Sequence, residues 1–200
     1  MKELDLLKKH WNNDQQFPKI STEEIHKMIH KKSSSIVMWI FIISIIEFLV
    51  LNCFSYFFIS DDSKENGGPV YRFMIENLDW LSFGISIIFI IIFYLNYRKI
   101  SVASSTHTLM TRILRTKKAV NYYIYTNLTV FIIAFIIMLI DILTVNDKLT
   151  LGTALISIGV VIVICVVFLG LLWLYYKVVY GFLIKKLMKN YKELEKIDYE

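Results

Sequence analysis

The chain has 200 residues, of which 56% are hydrophobic and only two are proline, with a mean hydropathy of +0.55. That is too apolar for an ordinary soluble domain, and it indicates an integral membrane protein. The formal net charge of +5 comes from basic residues at the ends of apolar blocks, where lipid headgroups would meet them, so it orients the chain in a membrane and does not call for nucleic acid.

Residues 1–35 form a polar N-terminal segment, too long and too polar for the start of a secretory signal, and the apolar block after it is read as an anchor that stays. Within "KELDLLKKHWNN", Leu4, Leu7 and Trp11 make a short apolar stripe, which Pro18 separates from the helix start at 20–25. Such a stripe either lies among headgroups or docks a protein partner. In that helix start, "ISTEEI", Ser21 can cap the backbone and Glu24 can reach back to it. No proline or glycine occurs between Thr22 and Phe58, so this helix is expected to run straight into the membrane.

Four apolar blocks occupy 36–59, 81–97, 122–143 and 151–176. Each is near the roughly 20 residues that a helix needs to cross about 30 Å of hydrocarbon. The apolar residues run on without barrel-like alternation, and a lipid-exposed backbone must satisfy its own hydrogen bonds. The expected fold is therefore all-α: a polytopic four-transmembrane-helix bundle, domain 36–176, with helical extensions.

Glu47 interrupts the first block. It stands 11 residues past Ile36, about 16 Å into the core and near the midplane by count. A lipid-facing charge there is unfavourable by something like 3 kcal/mol. Ser44, Glu47 and Ser55 project from one side of the helix with Asn52 at the edge. This polar stripe is expected to face the bundle or another subunit. Because no lysine or arginine lies deep in any block, a neutral Glu47 is expected, serving as a hydrogen-bond lock between helices. A proton or ion path is the alternative.

The loop 98–121 contains no acidic residue. Leu109, Met110, Ile113 and Leu114 oppose Arg112, Arg115 and Lys118, so an amphipathic helix lying on the membrane surface is expected. In block 4, Gly152 and Gly159 are read as places where a neighbouring helix approaches closely. After that block, Val179, Leu183, Leu187, Tyr191 and Leu194 carry an apolar stripe into 177–200, which must bury against a neighbouring extension or a second copy of the chain.

No chemistry-bearing motif stands out. His26 and His30 in "HKMIH" have the i, i+4 spacing of two ligands, but Lys27 replaces the glutamate of a zinc protease, and two solvated histidines are expected. There is no GxSxG, Walker loop or GxGxxG. Neither catalytic residue, metal site nor cofactor is assigned, and the reading is non-enzymatic.

Three stretches carry a resemblance: "ELDLLKKHW" at 3–11, "KISTEEIHKMIHKKSSSIVMWIFIISIIEF" at 19–48 and "LMTRILRTKKAVNYYIYTNL" at 109–128. Together they resemble an uncharacterised family of four-helix membrane proteins from Bacteroidetes-type bacteria. Members often lie beside genes for alternative sigma factors, which implies a signalling, anti-sigma-like role. Some such proteins carry automatic names of the carotene-cleaving monooxygenase type. That name does not fit here, since those enzymes hold iron through four histidines and no histidine falls in an apolar block of this chain.

Lysine and arginine number 19 in segments 1–35, 98–121 and 177–200, against three in 59–79 and 144–150. By the positive-inside rule both termini and the middle loop are expected in the cytoplasm of a bacterial inner-membrane protein, with the lipid bilayer, a second copy and a cytoplasmic protein as partners. Cysteines introduced at Ser63 and Asn146 should react with an impermeant thiol reagent in intact cells, and one at Ser104 should not. Labelling at Ser104 alone would reverse the orientation.

Overall fold

The computed structural model describes residues 21–58, 69–103, 105–145 and 151–198. Leu4, Leu7, Trp11, Ser63, Ser104 and Asn146 lie outside them. The described residues form four helices: α1 (Thr22–Phe58), α2 (Pro69–Ser101), α3 (Thr106–Val145) and α4 (Leu151–Asp198). All four are long and apolar enough to cross a membrane, and the chain has the spans of a multi-pass membrane protein.

Local sequence sets the helix ends. Ser21 and Glu24 form the reciprocal cap at the start of α1, with Glu24 N–H donating to Ser21 Oγ at 3.2 Å and Ser21 N–H to Glu24 Oε2 at 3.1 Å. Pro69 opens α2 at the first helical position, where its missing N–H removes no intrahelical bond. Ser105 caps α3 by accepting from the Thr108 N–H at 3.3 Å.

The helices are longer than a crossing needs. α4 has 48 residues, about 72 Å of helix, against about 30 Å of hydrocarbon. Successive helices are antiparallel, because His30 near the start of α1 meets Ile100 at the end of α2, while Phe48 meets Phe83 farther along. α1 packs on α2 and α4, and α3 packs on α2 and α4. The bundle is therefore up-down-up-down. The exposed basic residues Lys31, Lys32, Arg98, Lys99, Lys118, Lys185 and Lys186 collect toward one end, the basic end of the bundle.

Residues 106–121 correct the expected surface helix. They are the first turns of α3, continuous with its span, and Leu109 and Ile113 are fully buried inside the bundle. Nothing between Thr106 and Val145 is a proline or a glycine, so no break separates the basic face from the span. Leu187 and Leu194 of α4 are buried in the same core with Ile29, Ile36 and Ile100. The stripe on α4 thus meets the other extensions of its own chain.

Packing is concentrated at the basic end. Among the described residues, only Ile137 and Val161 are buried apolar side chains on the far side of the Glu47 level. In water, apolar faces must be buried against protein, whereas lipid tails solvate them as well as leucine does. A Cβ at Gly152 or Gly159 would meet nothing within 4 Å, so among the described residues no helix makes the close approach expected of those glycines.

Stability should follow this division. Leu194→Ala, which empties a fully buried site in the extension, should lower unfolding free energy in detergent by about 2–5 kcal/mol. Val163→Ala, on a face left exposed by the bundle, should change it by under about 1 kcal/mol. Chemical unfolding of both variants tests the contrast.

Candidate functional site

All four helices contribute to one layer around Glu47. α1 supplies the carboxyl group, buried to 9% exposure. α4 supplies two phenols one turn apart: the Tyr176 hydroxyl donates to Oε1 at 2.7 Å and the Tyr180 hydroxyl to Oε2 at 2.8 Å. The i, i+4 spacing puts both hydroxyls on one face of α4. α3 adds Tyr123, whose ring packs 6.2 Å from Tyr176 and 5.6 Å from Tyr180 and which interacts electrostatically with Glu47. α2 closes the layer with Phe89 and Phe93, 5.2 and 5.5 Å from the Tyr123 ring in edge-on geometry.

Each carboxyl oxygen therefore has a hydroxyl partner without any cation. An ionised Glu47 accepts two charge-assisted bonds, and a neutral one accepts from one phenol and donates its own O–H to the oxygen of the other. The result is a hydrogen-bonded lock between α1 and α4, with an aromatic shell that excludes lipid and water.

The layer lies nearer the basic end than the midplane expected from block 1 alone. Tyr123 follows Lys118 by five residues and Tyr180 precedes Lys185 by five, about 7.5 Å of helix in each case. Lys177, next to Tyr176, places its Nζ 4.5 Å from the Trp173 ring centre, as a cation at an interface does. Counting from Ile36 overestimates the depth because α1 stays apolar and buried at Ile36, Val37 and Ile40, where it packs on protein and not on lipid.

The rest of the polar stripe divides. Ser44 is buried but donates to the Phe41 carbonyl of its own helix at 2.7 Å. Asn52 is exposed on the bundle surface and donates to the Phe48 carbonyl at 2.7 Å, so of the two faces expected for the stripe it does not take the one inside this chain's bundle. Ser55 lies on α1, and its side chain falls outside those described.

Two polar contacts in the extension go beyond the sequence-based expectations. Asn190 Nδ2 donates to Ser33 Oγ at 3.0 Å, with both residues fully buried, which ties α4 to α1 a second time. His30 Nε2 lies 2.8 Å from the Ile100 carbonyl. A carbonyl can only accept, so this nitrogen carries the proton. His26 stacks on His30 at 6.3 Å, and its Nε2 is buried. His30 is thus packed against the end of α2 and both rings are half-buried, which differs from the solvated pair expected. The i, i+7 relation of Asn190 to Leu183 and of Leu183 to Tyr176 on the α4 stripe is the signal that points to Asn190.

Substitutions should separate these contributions. Glu47→Leu leaves two buried hydroxyls without acceptors and should cost about 1–3 kcal/mol in detergent. Glu47→Gln keeps an acceptor and gains a donor, so it should cost under about 1 kcal/mol. Tyr180→Phe removes one bond and should fall between them, as equilibrium unfolding would read out.

No curated protein and no solved structure matches the chain. A family model described as a domain of unknown function, DUF8845, matches residues 23–199, which takes in the four helices but for Thr22 and every residue of the Glu47 layer. The chain belongs to the DUF8845 family.

Proposed function

We propose that this protein is a non-enzymatic module of a bacterial inner membrane, with both termini in the cytoplasm, that relays or scaffolds a signal through its N-terminal segment 1–35. The observation that carries the reading is the continuity of the helices. α1 and α3 run from the basic end through the membrane without a proline or glycine, and α4 runs through with its glycines kept inside one helix. A displacement of α1 is therefore passed along a stiff rod. Hydrogen bonds at Ser33–Asn190 and at Glu47–Tyr176 and Tyr180 link that rod to α4. The asymmetry of basic residues supports the orientation. The gene neighbourhood implied by the resemblance supports an anti-sigma-like partner, and the lipid-facing apolar surface leaves room for a second copy.

A second reading is favoured by one observation: a buried carboxyl group within a span, surrounded by phenols, is also what a proton-translocating site uses. Saturation of both carboxyl oxygens by short bonds within the packed layer favours the lock.

Changing Leu4, Leu7 and Trp11 to serine should abolish a specific co-purifying cytoplasmic protein while the four-helix body stays inserted and unfolds as before. Glu47→Gln should keep that protein. In proteoliposomes with an internal pH dye, the native chain should show no flux above empty vesicles. A flux that Glu47→Gln removes at unchanged stability would replace the relay with transport.

A further inference from the structure

A groove of about 300 Å³ opens on the outside of the bundle at the basic end, between α1 and α2. Its lining comes from His30, Lys31, Ser34, Ser35 and Met38 on α1 and from Tyr97 and Ser101 on α2. None of these side chains is acidic. Along α1 the lining changes from a cation through two hydroxyls to a thioether over about 10 Å, in the direction that leads into the membrane. Trp39, next to Met38, is 52% exposed, and Tyr94, one turn deeper than Tyr97, is 45% exposed, as side chains at a lipid interface are. His30 is oriented by its bond to the Ile100 carbonyl, which occupies Nε2 and leaves Nδ1 as the ring's other polar atom.

We propose that this groove binds the phosphodiester headgroup of an anionic glycerophospholipid, with Lys31 as counter-charge, the hydroxyls of Ser34, Ser35, Tyr97 and Ser101 as donors, and the first acyl carbons against Met38. Hydroxyl donors and one ammonium suit the several acceptor oxygens of a phosphodiester, and basic pockets between helices at this depth take anionic headgroups. The polar-to-apolar gradient distinguishes the occupant. A soluble phosphate would use only the upper half of the groove, whereas a phospholipid uses all of it. The proposal is independent of the relay reading, since it needs only the bundle and its place in the membrane.

The test is native mass spectrometry of the full chain in detergent, titrated with phosphatidylglycerol and, separately, with phosphatidylcholine. Phosphatidylglycerol should bind several-fold more tightly. Lys31→Gln should weaken it about five-fold, the effect of one basic side chain near an anionic headgroup, and Ser35→Glu, which sets a carboxylate in the groove, should weaken it at least as much. Lys118→Gln, an exposed cation on α3 outside the groove, should leave the affinity unchanged. Lys31 and Ser35 are exposed, so thermal unfolding of these variants should match that of the native chain. Equal affinity for the two lipids, or equal losses at Lys31 and Lys118, would overturn the site in favour of diffuse attraction. Displacement of phosphatidylglycerol by millimolar inorganic phosphate would assign the groove to a soluble anion and overturn the lipid.

Discussion

A carboxyl group on a helix that crosses hydrocarbon must find its partners on other helices, because its own backbone is already paired and lipid offers nothing. Glu47 meets this constraint through Tyr176 and Tyr180. Two bonds from residues one turn apart set the position of α1 along α4, and the ring contacts of Tyr123, Phe89 and Phe93 bring α3 and α2 to the same level. A shift of α1 by one helical turn would leave both phenols and the carboxyl group unpartnered, an outcome each of them opposes. The layer therefore specifies register in a region where apolar packing alone is weakly directional.

Toward the basic end, beyond that layer, burial of apolar side chains holds the same four helices. Leucine and isoleucine side chains of the extensions are removed from solvent, and Leu109, Ile113, Leu187 and Leu194 are fully buried. Ser33, Asn190 and Thr116 are also fully buried, the first two bonded to each other and Thr116 to the Arg112 carbonyl of its own helix at 3.0 Å. Below the layer the apolar side chains remain largely exposed to what would be lipid. One continuous set of helices thus passes from a densely packed core at the basic end to a body whose apolar side chains are largely exposed, and the Glu47 layer is the joint. A signal carried by helix displacement must cross that joint, which is why the lock and the proposed relay belong to one physical picture.

The sequence by itself determined the number of spans, the helical class and the accumulation of basic charge toward one end, because hydrophobic length and charge asymmetry are properties of the chain that no tertiary contact can alter. It also showed the cap at Ser21 and Glu24, a local motif whose partners are three residues apart. The buried side of α1 at Ser44 and Glu47 was legible from helical projection. The phenol partners were not, since Tyr123 and Tyr176 stand at block edges, where interfacial anchors belong, and Tyr180 stands outside the block altogether. Only the tertiary structure decided that these tyrosines turn inward, that Asn52 turns outward, that 106–121 is a buried part of α3, and that Glu47 lies nearer the basic end than a count from Ile36 places it. Each depends on which face of a helix meets a neighbour and at what height. A hydrophobic block has the same composition whether lipid or protein covers it, so only the packed neighbours settle the matter.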